Sequence, residues 1–356
     1  MKWDSDNSGR ATQKAAYGLL SRVALYAEKW DVAAQAARDC ATAEGNLDLS
    51  KNGYAKIFEL GINSPEVLFA VEFKSSVIDH AYDAYVRPSG DTKELGKQVY
   101  SGFVPTSELV DSYEMAGDGG NFSWEKHGKD PYANREPRFY ATILYNGADW
   151  MGRKIESFVG GKDGYKAYEN AGAAGTTVTG YYLRKYLIDG DKTWVTSGSG
   201  QDWIVLRYAE VLLNKAEALA MENWNKNSAE ALQALNDVRA RVGLPARATA
   251  DKETFLEYVR HERKVELAGE GFRYWDLRRW RLAEKVIDGQ NVHGVKISKQ
   301  SDGSFTYEQV DADGGHKRIF YDRYYRFAIP LSERSNNSLC TCLLYTSPSP
   351  RDRQKS

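Results

Sequence analysis

Apolar residues recur at three- and four-residue intervals in four separate stretches of this 356-residue chain, which predicts helices there. Between Arg10 and Ala43 the stripe Ala15, Ala16, Leu19, Leu20, Val23, Ala24, Ala27 gives one helix. After the break at "EKWD", Ala33, Ala34, Ala37 and Ala41 give a second, whose small side chains allow close packing. A similar pair is predicted over 207–242, where "YAEVLLNKAEALA" echoes "YGLLSRVALYAEK" and Leu232, Leu235 and Val238 line the returning helix. These are helical pairs of the tetratricopeptide type, although the two copies are far apart in the chain and do not form a tandem array. A further helix runs from about Asp251 to Leu267, is stopped by Gly269 and Gly271, and restarts near Tyr274 as "YWDLRRWRLAEKVI", so that 251–285 is helical.

Residues 44–206 break this regularity. Short strand-like runs, "EVLFAVEF" and "RFYATILY", alternate with "AGDGGN", "VGGKDG", "NAGAAG" and "TSGSG", and long loops on a rigid scaffold commonly bind something. Residues 288–327 return to short strands and turns. The expected fold is mainly α, with helical pairs carrying a loop-rich segment that contains short β-strands. Residues 1–337 are expected to form one domain lacking an N-terminal part. The last residues, 338–356, read as a non-native tail, because "LLYTSPSPRDRQKS" resembles translated adapter sequence.

Composition narrows the function classes. Lys and Arg total 48 against 49 Asp and Glu, which supplies no global field for nucleic acid, and none is expected as a partner. Only Cys40 precedes residue 340, so neither disulfides nor a cysteine zinc site organise the chain. No run approaches 18 consecutive apolar residues. The bias that does point somewhere is aromatic: 9 Trp and 23 Tyr, many of them in glycine-rich stretches off the helical stripes, where rings often meet a ligand or partner.

The densest segment, "HERKVELAGEGFRYWDLRRW" at 261–280, holds nine charged residues and four aromatics. Phe255, Val259, Glu262 and Glu266 are spaced by four, three and four, so two carboxylates continue an apolar helix face and need partners there. Arg263, Arg273, Arg278 and Arg279 are the expected ones, in a structural ion-pair network beneath Phe272 and Trp275. A metal site is disfavoured, because His261, Glu262 and Glu266 lack the second histidine of H-E-x-x-H. A glycosidase pair of Glu262 and Glu266 would need an open cleft, which a face of bulky apolar residues does not offer.

"DSDNSG" at 4 and "DADGG" at 311 begin like calcium loops but do not complete them: Ala15 takes the twelfth place of one and His316 the sixth of the other. His80, His127, His293 and His316 show no ligand spacing, and "GGKDG" at 160 has no phosphate-loop ending. No metal or cofactor is expected.

Several motifs occur in an order and spacing that resemble the SusD/RagB family: "GRATQKAAYGLLSRVALY" at 9, "SPEVLFAVEF" at 64, "VPTSELVDSYE" at 104, "DPYANREPRFYATILYNG" at 130, "TGYYLRKY" at 179, "RYAEVLLNKAEAL" at 207, "ALNDVRARVGLP" at 234, "VRHERKVELAGEGFRYWDLRRW" at 259 and "FAIPLSE" at 327. The resemblance implies a non-enzymatic, surface-exposed outer-membrane lipoprotein that captures nutrients, usually glycans, for a SusC-like TonB-dependent transporter. Its lipid anchor would lie outside this stretch. A peptide- or protein-binding scaffold of the same fold is the alternative, and a glycoside hydrolase a weaker one.

A sugar ligand needs a flat aromatic face and polar groups at its rim. Trp124, Trp150, Tyr165, Tyr168 and Trp194 are the candidate faces, and Asn121, Asn146, Asp149 and Asn170 the candidate edges. Trp203, Trp275 and Trp280 sit inside the family-like motifs and are expected in the core.

Overall fold

The computed structural model describes residues 9–43, 53–168, 176–327 and 329–337. Asn170, most of the "DSDNSG" stretch and the 338–356 tail lie outside the described residues. The chain divides into two compact units, one of residues 1–273 with 292–315 and one of residues 274–291 with 316–356.

The larger unit is built on four helical elements, Gln13–Tyr26, Trp30–Thr42, Tyr208–Arg241 and Lys252–Glu266. Their buried stripes close one core, in which Leu213, Ala216, Leu219 and Leu235 meet Ala24, Leu25, Ala33, Ala34, Phe255 and Val259. Thr12 caps the first helix by accepting the N–H of Ala15, and Asp251 caps the last by accepting that of Thr254. Tyr208–Arg241 contains the expected return as a kink rather than a loop. Asn223 leaves helical geometry (φ −164°, ψ 95°) and its side chain accepts the N–H of Lys226, so it starts the second half as a cap would. Gly18 lets the first helix press against the strand Val67–Val71, since a Cβ there would come within 2.9 Å of Leu68 Cδ1.

Strand Val67–Val71 pairs antiparallel with Trp203–Arg207. The loop-rich region between them is therefore a single excursion whose two ends are tied together beside the helices. "RFYATILY" is not the strand its apolar content suggests: Pro137–Thr142 is a helix with proline in its first turn, where a fixed φ favours helix. Only Ile143–Leu144 is extended, paired with Tyr182–Leu183. The hairpin His293–Lys299 with Phe305–Asp311 adds its apolar side to a core with Val110, Phe139, Tyr181 and Val265.

The segment from Tyr274 is likewise not one helix. Arg281 adopts φ 54°, which separates Arg273–Arg279 from Ala283–Ile287. In the smaller unit Leu277, Ala283 and Phe320 form the core, with Arg278 donating to the carbonyls of Tyr324 and Tyr325. Trp275, expected in the core, is 45% exposed.

Candidate functional site

Glu262 and Glu266 are almost completely buried, as are Phe255 and Val259 on the same helix face. Arginines from distant parts of the chain pair with them. Arg138 donates to both carboxylates, at 2.5 Å to Glu262 and 2.9 Å to Glu266. Arg239 reaches Glu262 at 3.0 Å, while Arg207, at 2.6 Å, and Arg241 reach Glu266. The cluster continues through Glu136 on Arg138, Glu114 on Arg239, Glu66 and Glu270 on Arg207, and Lys185 on Glu270.

Of the four arginines expected there, Arg263 donates to Asn214 Oδ1 and Arg279 pairs with Asp276. Arg278 serves the two carbonyls named above, and Arg273 opens the helix Arg273–Arg279. The reason is geometric: a carboxylate turned inward on a helix meets the side chains that pack over that face from other parts of the chain, while the residue next to it in sequence, such as Arg263 beside Glu262, projects about 100° away around the helix.

Burial would raise the Glu266 carboxyl, but Arg241, Arg207 and Arg138 overcome this and hold it well below the usual carboxylate range. The Lys185 ammonium moves the other way, lowered to about 8 by burial despite Glu270. Glu262 and Glu266 thus face guanidiniums and no solvent, which leaves no cleft for hydrolysis between them.

Two of the candidate tryptophans are also committed elsewhere. Trp150 and Trp194 are fully buried beside the Arg87 guanidinium, whose carbon lies 5.1 Å from each ring centre. Arg87 is itself buried, bonded to Asp83 at 2.8 Å and to Asp91, and Trp150 donates its indole N–H to Asp91 at 3.0 Å. Trp124 is half-buried against Phe122 and donates to Asp111 at 2.9 Å. Tyr165 is buried; Tyr168 is 46% exposed, with its ring over Gly314. Asn146 is buried, Asn121 exposed, and Asp149 pairs with Lys154 on the surface.

Among the described residues an exposed aromatic face at a concavity is made by two residues outside the candidate set. Tyr85 and Tyr100, each 48% exposed, stack at 5.1 Å between centres with planes 26° apart. They border a cleft of about 480 Å³, together with Asp79, His80, Lys97, Gln98 and Trp194, a volume within the usual range for ligand sites. Trp194 is the one candidate that reaches it.

Local structure explains the platform. In the short helix Tyr82–Val86, Tyr82 and Val86 turn inward at i, i+4 and leave Tyr85 outside. The next segment is sewn to it: Tyr100 N–H donates to the Ala84 carbonyl at 2.7 Å, Gly102 N–H to Tyr85 at 2.6 Å, and Ser101 Oγ to Arg87 at 2.9 Å. Ser101 itself takes φ 48° to turn the chain.

The rim is held as firmly. His80 accepts the Tyr82 N–H on Nδ1 at 3.2 Å and donates from Nε2 to the Gln201 carbonyl at 2.9 Å. Lys97 donates to the carbonyls of Trp194 and Val195. Two flat rings beside an imidazole, an amide, an ammonium and a carboxylate can cover the C–H face of a pyranose while its hydroxyls find partners. Among the described residues no group of three or more His, Cys, Asp or Glu is placed to hold a metal ion.

Comparison with known proteins agrees on one family. The SusD family model matches residues 65–341. SusD-like protein P38 of Formosa agariphila is 32% identical over 133 residues, 35% of this chain and 25% of its own length. A SusD-like protein of Bacteroides ovatus is 24% identical over 335 residues, 87% of this chain and 55% of that protein. Among solved structures, a SusD-like protein from Bacteroides fragilis superposes with a TM-score of 0.79 at 26% identity, covering 96% of this chain and 66% of that one. A SusD-like carbohydrate binding protein from the same species gives 0.75 at 25%, covering 94% and 66%. The chain therefore spans less than two thirds of the length of each of these relatives. Motif order, the helical scaffold and these matches lead to the same statement: the chain belongs to the SusD family.

Proposed function

We propose that this chain binds an oligosaccharide in the Tyr85–Tyr100 cleft, as part of a surface lipoprotein that hands its ligand to a SusC-like TonB-dependent transporter in the outer membrane, without catalysing a reaction. The stacked, half-exposed tyrosine pair carries the glycan reading: pyranose C–H faces bind flat rings, and the charges around the cleft are of both signs, which suits a neutral, hydroxyl-rich ligand. The carbohydrate-binding relative from Bacteroides fragilis supports it, and the transporter and the lipid anchor come from the family resemblance. Affinity electrophoresis and calorimetry against a broad panel of oligosaccharides test it. At least one glycan should retard the protein, and Tyr85→Ala or Tyr100→Ala should weaken binding at least tenfold without lowering the melting temperature appreciably. Retention that is indifferent to both substitutions would remove the cleft from the reading.

A peptide ligand is the second reading, favoured by the exposed Val77, Ile78 and Phe103 in the segments that form the cleft. Capture of unstructured apolar peptides, with no response to any glycan, would select it.

A further inference from the structure

The first helix, Gln13–Tyr26, is apolar on both sides. On one side Ala24 and Leu25 are buried in the helical core, and Gly18 lies against Leu68. A helix at a protein surface is ordinarily polar on the other side. This one is not: beyond Gln13, its exposed residues are Ala16, Leu19, Leu20, Val23 and Tyr26, and the exposed Ala27 follows. Leu20 is 43% exposed and Val23 56%. The charged residues of the helix do not interrupt this face. Lys14 is buried, and Arg22 donates to both carboxylate oxygens of Glu210, each at 2.6 Å. A helix that is apolar all round is normally covered all round, which marks the outward face as a docking surface.

The spacing of that face says what fits it. Ala16, Leu20, Val23 and Ala27 are separated by four, three and four, the repeat of a seam along which two helices pack, and Leu19 and Tyr26, seven apart, flank it. The seam has no polar group to fix a sugar's hydroxyls. The exposed charges at its ends are mixed, Arg10 at one and Glu28, Lys29 and Asp31 at the other, which is not the basic fringe of a membrane-surface helix. The order of sizes is a palindrome: small, large, large, small. A two-fold axis between residues 21 and 22 therefore lays Leu20 of one copy on Val23 of the other and Ala16 on Ala27, with alanines at both ends to let the backbones approach. The same axis turns Arg10 of one copy toward the acidic end of the other, whereas a parallel pairing would bring like ends together. A patch that complements itself in shape and charge is what an isologous interface requires. We infer that a second copy of this chain docks on this face, first helix against first helix, antiparallel about a two-fold axis.

The helix has 14 residues and is about 21 Å long. One such pair makes a small interface, so the dimer should be weak, with a dissociation constant of about 10–100 µM. Sedimentation equilibrium of the whole chain between about 5 and 300 µM brackets that range and should show a monomer–dimer equilibrium. Leu20→Glu and Val23→Lys each put a charge into the seam and should weaken association about tenfold or more. Both positions are exposed, so the melting temperature should not move. An equimolar mixture of the two variants should recover the dimer, because the antiparallel arrangement sets the introduced carboxylate beside the introduced ammonium and keeps Leu20 on Val23 in the other half of the seam. A merely structural effect of either substitution would not be rescued by mixing. The inference is overturned if the parent chain stays monomeric over the whole range, which would give the face to some other helix, if the variants associate as the parent does, or if their mixture stays monomeric.

Discussion

Glu266→Gln is the most severe small change the fold offers. The carboxylate is fully buried and accepts from Arg138 at 2.9 Å, Arg207 at 2.6 Å, and Arg241. Three charge-assisted bonds at about 1.5–3 kcal/mol each set an upper bound of roughly 5–9 kcal/mol. Two features lower it. Each arginine keeps another carboxylate, Glu136 and Glu262 for Arg138, Glu66 and Glu270 for Arg207, and Glu66 for Arg241. The amide oxygen of glutamine can also still accept one bond, although its NH₂ then faces a guanidinium. The expected cost is about 3–5 kcal/mol, that of unbalancing a buried ion pair. Against a total stability of about 5–15 kcal/mol this is a large share, and the urea midpoint should fall by more than about 1 M with an unchanged slope. Glu308→Gln is the control: its pair with Lys296 lies on the surface, and the change should stay within about 0.5 kcal/mol. A loss under about 1 kcal/mol for Glu266→Gln would refute the view that this cluster welds the helices.

The same carboxylates set the acid limit. Glu266, Glu270 and Glu114 are held below their ordinary value of 4.5, the effect of burial being outweighed by arginines in each case, so their stabilisation is complete above about 4.5 and drains as pH falls through their folded values. Glu136, raised by burial, opposes them. The melting temperature should be level from about pH 7 to 5 and fall steeply below about 4.5; a decline that begins at pH 6 would implicate histidines instead. Gly180→Ala should cost about 2–4 kcal/mol in chemical denaturation, because φ is +78° there and a Cβ would lie 2.3 Å from the Val295 carbonyl oxygen. Trp150→Ala should cost about 3–5 kcal/mol by emptying a buried site, while glycan affinity, measured below the melting transition, stays within a few-fold. A selective loss of affinity at unchanged stability would show that the ring meets ligand.

Part of the helical scaffold could be read from spacing because a helix face repeats locally: Ala33, Ala34 and Ala37 are buried where their period puts them, and so are Glu262 and Glu266, whereas Leu19, Leu20 and Val23 of the first stripe are exposed. Partners are a different matter. Arg138 precedes Glu262 by 124 residues and Arg207 precedes Glu266 by 59, and no local pattern encodes which distant arginine will cross a given face. Short elements failed for a related reason. "RFYATILY" carries a strand's composition, but Pro137 and the inward pull on Phe139 and Thr142 decide for helix, and the break at Arg281 depends on a positive φ that arginine does not announce.

Choosing tryptophans as the sugar-facing rings rested on the size of the indole, and the same property explains why two of them, Trp150 and Trp194, are buried. A large ring with one N–H donor is the side chain that a core can best use to surround a buried cation, and Arg87 takes Trp150 and Trp194 in that way. Tyrosine keeps its hydroxyl in water at less cost, so a half-exposed ring is more easily left at the mouth of a cleft. Tyr85 did leave a trace in the sequence. In "YDAYV" the inward i, i+4 pair is Tyr82 and Val86, which forces the intervening tyrosine outward, and an aromatic off the apolar face of a short helix inside a loop-rich excursion is a stronger sign of recognition than a tryptophan among glycines. Tyr100 left no comparable trace, because its position beside Tyr85 depends on backbone bonds to Ala84 and Tyr85 that only the folded excursion supplies.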